Sequence, residues 1–189
     1  MKTKHLTHTV LLISMAVLNP SVSAQNGTTD KPVTEAKAIV QPVQPGSLTT
    51  VIADSATFST LTKALKATEL DLTLGTKGNF TIFAPTDEAF GKLPAETLTK
   101  LMLPENKDKL RMLLLYHVVA GRMLTAELID GDVKTVNGEK LKIDVDIDKI
   151  EVNDEKIFSA DVSATNGVMH TIGKVLVPKS LEGFAGLKN

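Results

Sequence analysis

The residues of this sequence whose types could do acid–base or nucleophilic chemistry are two histidines, His117 and His170, with a few serines and aspartates near them. Ser159, Asp161 and His170 supply the residue types of a hydrolase triad, but such a triad is defined by geometry rather than by residue type. The sequence has no Gly-x-Ser-x-Gly turn, no His-Glu-x-x-His pair and no phosphate-binding or dinucleotide-binding glycine loop. We therefore predict that the protein is not an enzyme.

Metal binding is the second chemistry that these residue types suggest. His117 and His170 make a weak site by themselves, because protein zinc sites use at least three side-chain ligands. Asp144, Asp146 and Asp148 alternate with apolar residues, and the sixth position of a calcium loop counted from Asp144 is a lysine rather than glycine. Alternation instead places the carboxylates on the solvent face of a strand, where they oppose unwanted strand pairing. The sequence predicts no metal and no cofactor.

Both histidines are predicted to have structural hydrogen-bonding roles. His117 lies between a helix and a strand in apolar surroundings, and a buried imidazole requires hydrogen-bond partners. We expect it to attach the end of its helix to the chain near Thr86, Asp87 or Asn166. His170 lies on the apolar face of an alternating strand. These five residues form the predicted structural hydrogen-bond network.

The elements that must position these residues fall into a helical half and a strand half. Apolar spacing predicts helices over 48–53 and 57–68, a buried strand over 79–84, a short helix capped by Thr86 or Asp87, and helices beginning at Pro94 and Pro104. The second of these runs to Tyr116. Short β-branched runs then predict strands at 118–119, 133–136, 141–147, 150–152, 156–158 and 168–177. This order predicts an α+β fold, with helices packed on a largely antiparallel sheet system.

The beginning of the sequence indicates export. A basic head, a nine-residue apolar run at 10–18 and small residues before Gln25 form the pattern of a secretory signal peptide over 1–24, cleaved near Ala24-Gln25. The run is too short to span a bilayer, which needs about 20 residues. Residues 25–46 are rich in Pro, Thr and Gln and predict a linker. The domain is predicted over 47–182, followed by a tail at 183–189.

The composition excludes several classes of function. Removing residues 1–24 takes away Lys2 and Lys4 and no acid, so 19 basic and 22 acidic residues leave a net charge of −3. Such a chain has no overall attraction to nucleic acid or to an anionic membrane. The absence of cysteine excludes thiol catalysis, cysteine–zinc sites and a lipid anchor on cysteine. The sequence leaves the oligomeric state open.

Three segments resemble, in order, the conserved boxes of fasciclin-like domains. They are TIFAPTDEAF at 81–90, LYHV at 115–118 and ADVSATNGVMHTIGKVLVP at 160–178. The resemblance implies a wedge-shaped fold, a β-sandwich-like sheet system with a cluster of short helices. It also identifies a departure, because the family commonly has aspartate where this sequence has Gly173, so a hydrogen bond made there in other members is in doubt.

The resemblance implies a secreted or periplasmic, non-catalytic module for cell adhesion and contact with a protein or matrix partner. In animal members the region of the Tyr-His motif is implicated in partner binding, which suggests a recognition edge here. Its predicted residues are Leu113, Leu114, Tyr116, His117, Val118 and Val119. The alternative is an exported carrier of an apolar pigment or lipid. Its predicted ligand surface consists of Leu98, Leu101, Met102, Leu103, Met112 and Met123.

Overall fold

The computed structural model describes residues 46–76, 78–184 and 186–188. The predicted signal peptide and all of the predicted linker except Gly46 lie outside the described residues. Among the residues that are described, no helix is both long enough and apolar enough to cross a bilayer.

Six short helices make up most of the first half of the domain. Ser47 caps α1 through its hydroxyl, which accepts a hydrogen bond from the Thr50 backbone N–H. Pro94 precedes α5, and Pro104 opens a 3₁₀ turn that leads into α6, as the sequence predicts. The helices are α1 Leu48–Ala53, α2 Ser59–Ala67, α3 Leu70–Gly75, α4 Asp87–Gly91, α5 Ala95–Leu101 and α6 Lys107–Tyr116.

The region predicted as one helix over 57–68 is divided differently. A 3₁₀ turn over Ala56–Phe58 precedes α2, and α3 is a helix that was not predicted. Thr68 is the C-cap of α2, and its hydroxyl donates to the carbonyls of Ala64 and Leu65, at 2.9 and 3.1 Å. Glu69 then adopts a left-handed conformation with φ 58°, which turns the chain into α3.

Seven strands form one mixed sheet in the order β2-β1-β7-β6-β5-β4-β3. All neighbouring pairs are antiparallel except β1 and β7, which run parallel over six residue pairs. A bridge between Val119 and Thr135 joins the first strand of this order to the end of the last, so the sheet folds back on itself. The strands are β1 Phe80–Pro85, β2 Val118–Ala120, β3 Gly131–Lys134, β4 Lys140–Val145, β5 Ile150–Val152, β6 Glu155–Ala164 and β7 Gly167–Ile172. The α+β prediction is confirmed.

Two strand predictions were wrong by several residues at their C-terminal ends. The strand predicted to end at Phe158 continues as β6 to Ala164, and its register with β7 shifts twice, with Asp161 at φ 58°. Polar residues and this bulge hid the pattern of alternation. The strand predicted to reach Val177 ends at Ile172, because the chain beyond it turns to contact α6.

Two apolar cores result from the folded sheet. One lies between the helices and the sheet and includes Leu48, Phe90 and Leu113. The other lies between the two halves of the sheet and includes Phe83, Leu141 and Ile172. Ile82 and Ala84 of β1 face the first core and Phe83 faces the second, which is the alternation that the sequence predicts. Phe184 and Leu187 of the predicted tail pack against the helical core.

Candidate functional site

His117 joins the end of α6 to the segment that follows β7. Its side chain is 2% exposed. Nδ1 donates to the Leu113 carbonyl at 2.8 Å, and Nε2 accepts the Leu176 backbone N–H at 2.9 Å. Burial lowers the pKa of His117 to about 4, although the Leu113 carbonyl favours the charged form. The imidazole is therefore neutral near pH 7, with both nitrogens bonded to the main chain.

Thr86 and Asp87 cap helices instead of contacting His117. The Thr86 hydroxyl accepts the Ala89 N–H at 3.2 Å and caps α4. The Asp87 carboxylate caps α2 by accepting the Thr60 N–H at 2.7 Å and the Ser59 hydroxyl at 2.7 Å. Burial raises the pKa of Asp87, but these hydrogen bonds outweigh burial and hold the pKa below its usual value. The predicted attachment of His117 through these residues was wrong.

Asn166 connects three parts of the domain in the turn before β7. Its Oδ1 accepts the Leu48 N–H at 2.8 Å, at the start of α1. Its Nδ2 donates to the carbonyls of Leu74 and Thr76, at 2.6 and 2.8 Å, at the end of α3. The side chain is 4% exposed and makes no bond to His117, the partner that the sequence suggested. Asn166 holds two helix ends against the sheet.

His170 has its own backbone partners. Nε2 donates to the Met123 carbonyl at 2.9 Å, Nδ1 accepts the Asp161 N–H at 3.3 Å, and the ring stacks on Phe83 with centroids 5.6 Å apart. Burial lowers the pKa of His170 despite the Met123 carbonyl and the Asp161 charge. Neither nitrogen is directed at Ser159, so the three residues do not form a hydrolase triad. The five network residues are all hydrogen-bonded, but they do not form one network.

Asp161, suggested by its residue type only as part of a triad, has a structural role. Its carboxylate accepts the Thr125 N–H at 2.9 Å and the Thr125 hydroxyl, and so holds the loop that follows β2. Burial raises the pKa of Asp161, but the Thr125 hydrogen bonds outweigh burial and lower it. The positive φ of this residue lies in the β6 bulge, which no sequence pattern indicated.

The six residues of the predicted recognition edge lie in the interior. Each side chain is 3% exposed or less. The Tyr116 hydroxyl donates to the Lys140 carbonyl at 2.9 Å and accepts from Asn153 Nδ2 at 2.9 Å, and burial raises its pKa. A surface formed by these side chains requires exposure that the fold does not provide. The buried residues are Leu113, Leu114, Tyr116, His117, Val118 and Val119.

Most residues of the predicted apolar-ligand surface pack inside the domain or against its cores. Leu101 is fully buried, Leu98 and Met102 pack against the helical core, and Met123 packs against the core between the sheet halves. Met112, by contrast, is 39% exposed. The set therefore does not line one ligand-binding surface.

Gly173 leaves room for an exposed aromatic ring. Its carbonyl accepts Lys92 Nζ at 2.7 Å. A Cβ at this position would lie 2.5 Å from the Phe158 ring and 3.0 Å from a Glu155 carboxylate oxygen. Phe158 is 66% exposed. A side chain such as the aspartate common in the family would therefore have to displace Phe158.

Two large apolar side chains are exposed on neighbouring chain segments at one corner of the sheet. Ile129 and Ile147 are 77% and 96% exposed. The Asp130 carboxylate accepts a hydrogen bond from the Val145 N–H and so joins the two segments. Ile129 directly precedes Asp130, and Ile147 follows Val145 by two residues. We call Ile129, Asp130, Asp146 and Ile147 the corner surface.

Charged residues cover the neighbouring outer face of β4 and β5. Asp144 lies directly opposite Glu151, and two like charges in this position repel each other unless neighbouring cations offset them. Lys142 pairs with Asp144 at 2.7 Å and Lys149 with Glu151 at 2.9 Å. Over the described ranges, no three His, Cys, Asp or Glu residues are grouped so that they could hold a metal ion.

Comparison with known proteins identifies relatives across most of this domain. The family model described as "Fasciclin domain" matches residues 56–178. The protein sll1483 of Synechocystis is 45% identical over 148 residues, which cover 77% of this chain and 82% of that protein. Transforming growth factor-beta-induced protein ig-h3 of Sus scrofa is 37% identical over 126 residues, which cover 66% of this chain and 18% of that protein.

A solved structure supports the same fold. The FAS1 domain pair from the insect cell adhesion molecule fasciclin I superimposes with a TM-score of 0.65 at 17% identity. The match covers 73% of this chain, and the chain spans about half (53%) of that structure. At this level of identity the likeness concerns the fold alone. The predicted resemblance is confirmed.

Proposed function

This chain belongs to the fasciclin domain family, and on that premise we propose that it is a non-catalytic adhesion or protein-interaction module that acts outside the cytoplasm. The fasciclin I structure is described as that of a cell adhesion molecule, and we extend this role to the present chain. The chain corresponds to a single domain of that pair. The adhesion role of the whole molecule is therefore proposed for this chain, and so is contact with a partner.

The proposal rests on one contrast. The motif residues are hydrogen-bonded inside the fold, whereas apolar side chains are exposed at the corner surface. His117, His170 and Asp161 make internal hydrogen bonds, which leaves none of them with a free acid–base role. Ile129 and Ile147 expose most of their apolar area at the corner surface. Exposed apolar groups next to polar ones are typical of protein contact sites. We therefore move the proposed recognition site from the Tyr-His segment to the corner surface.

Export is part of the proposed function. Cleavage near Ala24-Gln25 would deliver the domain with the Pro-rich linker at its new N-terminus. Mass spectrometry of the protein recovered from its native host tests this step, with an N-terminus at Gln25 expected. An N-terminal Met1 on the recovered protein would contradict export through this signal.

The central experiment captures partners with three matched proteins. The mature chain, an Ile129→Ser/Ile147→Ser variant and a Leu72→Ser/Met112→Ser control are immobilised, and cross-linked partners from the native envelope and surface fractions are compared. Leu72 and Met112 are also exposed, at 70% and 39%, but lie on helices. We expect the corner variant alone to lose its partners. Equal capture by all three proteins would exclude the corner surface as the contact site.

A further inference from the structure

A cleft of about 270 Å³ lies between α1, α2 and α3 and shares no residue with the corner surface. Ala53 and Leu65 give it an apolar wall, and Lys66 and Asp71 bring opposite charges to its lining. Ligand sites usually measure about 300–1,000 Å³ and combine apolar walls with a few polar groups. The cleft therefore suits a ligand at the small end of that range.

The two charges of the cleft are unpaired. Over the described residues, Lys66 and Asp71 make no ion pair or side-chain hydrogen bond, with each other or with another residue. Elsewhere on the surface, Lys142 and Lys149 each hold a carboxylate within 3 Å. Lys66 lies near the end of α2 and Asp71 near the start of α3, so the two helices present one cation and one anion to a shared space.

A buried hydroxyl in the same cleft also lacks a partner. Thr62 Oγ1 is inaccessible to solvent and makes no hydrogen bond. Helical threonines commonly donate to the carbonyl four residues earlier. Thr68 and Thr99 do so here, to Ala64 and Ala95, each at 2.9 Å. A buried hydroxyl without a partner is unfavourable, so rotation of the Thr62 side chain toward the cleft, where a ligand completes its hydrogen bonding, favours binding there.

We propose that this cleft binds a small zwitterion, an α-amino acid with an aliphatic side chain. The Asp71 carboxylate accepts from the ligand ammonium, and the Lys66 ammonium donates to the ligand carboxylate. The Thr62 hydroxyl donates to the same carboxylate once its side chain has rotated toward the cleft. The aliphatic side chain packs against Ala53 and Leu65. The inference does not depend on the proposed adhesion function, because the two sites have no residue in common.

The test is an NMR titration of the ¹⁵N-labelled mature chain with L-leucine and two analogues of similar shape. N-acetyl-L-leucine lacks the ammonium group and L-leucinamide lacks the carboxylate. We expect L-leucine to shift amide signals of α1, α2 and α3, and each analogue to bind at least about 10-fold more weakly, since each loses a charge-assisted hydrogen bond. Equal binding of all three compounds, or no shift with L-leucine up to about 10 mM, would overturn the proposal.

Variants locate the site. Lys66→Met and Asp71→Asn are expected to weaken L-leucine binding about 10-fold, and Thr62→Val to weaken it less while leaving the melting temperature unchanged or raised. Lys63→Met and Asp54→Asn remove neighbouring exposed charges outside the cleft lining and serve as controls. L-leucine binding that is unaffected by Lys66→Met and Asp71→Asn, or equally weakened by the controls, would show that the ligand does not occupy this cleft.

Discussion

The motif interior and the corner surface differ in almost every physical respect. The motif interior, which consists of His117, Asn166, Gly167 and His170, is buried, and its polar side chains are hydrogen-bonded to the main chain. The corner surface lies on strand ends, carries carboxylates and exposes two isoleucines. The residues by which the family resemblance was identified therefore hold the fold together, whereas the surface proposed for contact lies outside those motifs.

This difference explains why family membership does not identify a partner. Few residue types can replace a buried histidine whose two ring nitrogens are hydrogen-bonded to the main chain. Few can replace a glycine that lies against a neighbouring strand, because a side chain would not fit there. An exposed isoleucine at a strand end has no such restriction from the fold. The comparison predicts large effects on stability for substitutions in the motif interior and small ones at the corner surface.

The largest expected effect comes from Gly167→Ala. A Cβ at this position would lie 2.0 Å from the Phe80 carbonyl oxygen and 2.7 Å from Leu48 Cδ1, and the strand that carries Phe80 cannot shift without disturbing the parallel pair. We expect a loss of roughly 4 kcal/mol in the free energy of unfolding, measured by urea denaturation. Gly91→Ala is the control, since nothing lies within 4 Å of its added Cβ. Similar values for both variants would contradict the close packing inferred at Gly167.

Asn166→Ala is expected to be the next most destabilising change. It leaves the Leu48 N–H and the carbonyls of Leu74 and Thr76 without their partner. We expect a loss of about 3 kcal/mol in urea denaturation, because unsatisfied buried groups are costly. Asn79→Ala removes an exposed amide of the same kind and should change stability by less than about 0.5 kcal/mol. A small effect of Asn166→Ala would mean that water replaces its bonds.

Acid should destabilise the motif interior through His117. Its pKa is 6.5 when unfolded and about 4 when folded, so the unfolded chain takes up a proton first as the pH falls. The contribution of neutral His117 to the free energy of unfolding is therefore fully present above about pH 6.5 and is lost progressively down to about pH 4. We expect a loss of about 2 kcal/mol between pH 7 and pH 5, measured by urea denaturation. The lowered pKa of His170 acts in the same direction.

The control for this pH dependence is His117→Gln, which cannot titrate. Its stability at pH 7 is expected to be lower, but its change between pH 7 and pH 5 should be clearly smaller than in the unmodified chain. The lowered pKa values of Asp87 and Asp161 act only at lower pH, because their unshifted value is 3.8. An equal pH dependence in both proteins would assign the effect to other groups.

The smallest effect on stability is expected at the corner surface. Ile129→Ser/Ile147→Ser removes apolar groups that are already in water, so the free energy of unfolding should change by less than about 0.5 kcal/mol. Thermal denaturation monitored by circular dichroism checks this. Loss of partner capture without loss of stability would support a contact role for Ile129 and Ile147 that is separate from the fold. Strong destabilisation would show that the two side chains belong to the fold after all.

Much of the fold could be predicted from the sequence, for identifiable reasons. The buried strand at 79–84 has regular alternation, and Pro94 and Pro104 mark helix starts. The bulge at Asp161 and the left-handed Glu69 could not be predicted, since a positive φ is uncommon at any residue other than glycine. Both depend on tertiary contacts, which a local pattern does not contain.

The roles of the site residues were predicted less well than the elements that carry them. The sequence indicated that His117 is buried and bonded, but its partners Leu113 O and Leu176 N are main-chain atoms, which no residue type reveals. The same segment was also considered as a recognition edge, because apolar residues after a helix are compatible with either core or surface. Only the position of α6 against the sheet places them in the interior.

The parallel pairing of β1 with β7 has a consequence for how the chain acquires its structure. Phe80–Pro85 lies beside Gly167–Ile172, so three helices and the other five strands separate these two parallel strands along the chain. Contacts between such distant segments close a large loop and slow folding. The parallel pair therefore forms only after the end of the domain is available, and a chain still emerging from the ribosome lacks the strand that completes its sheet.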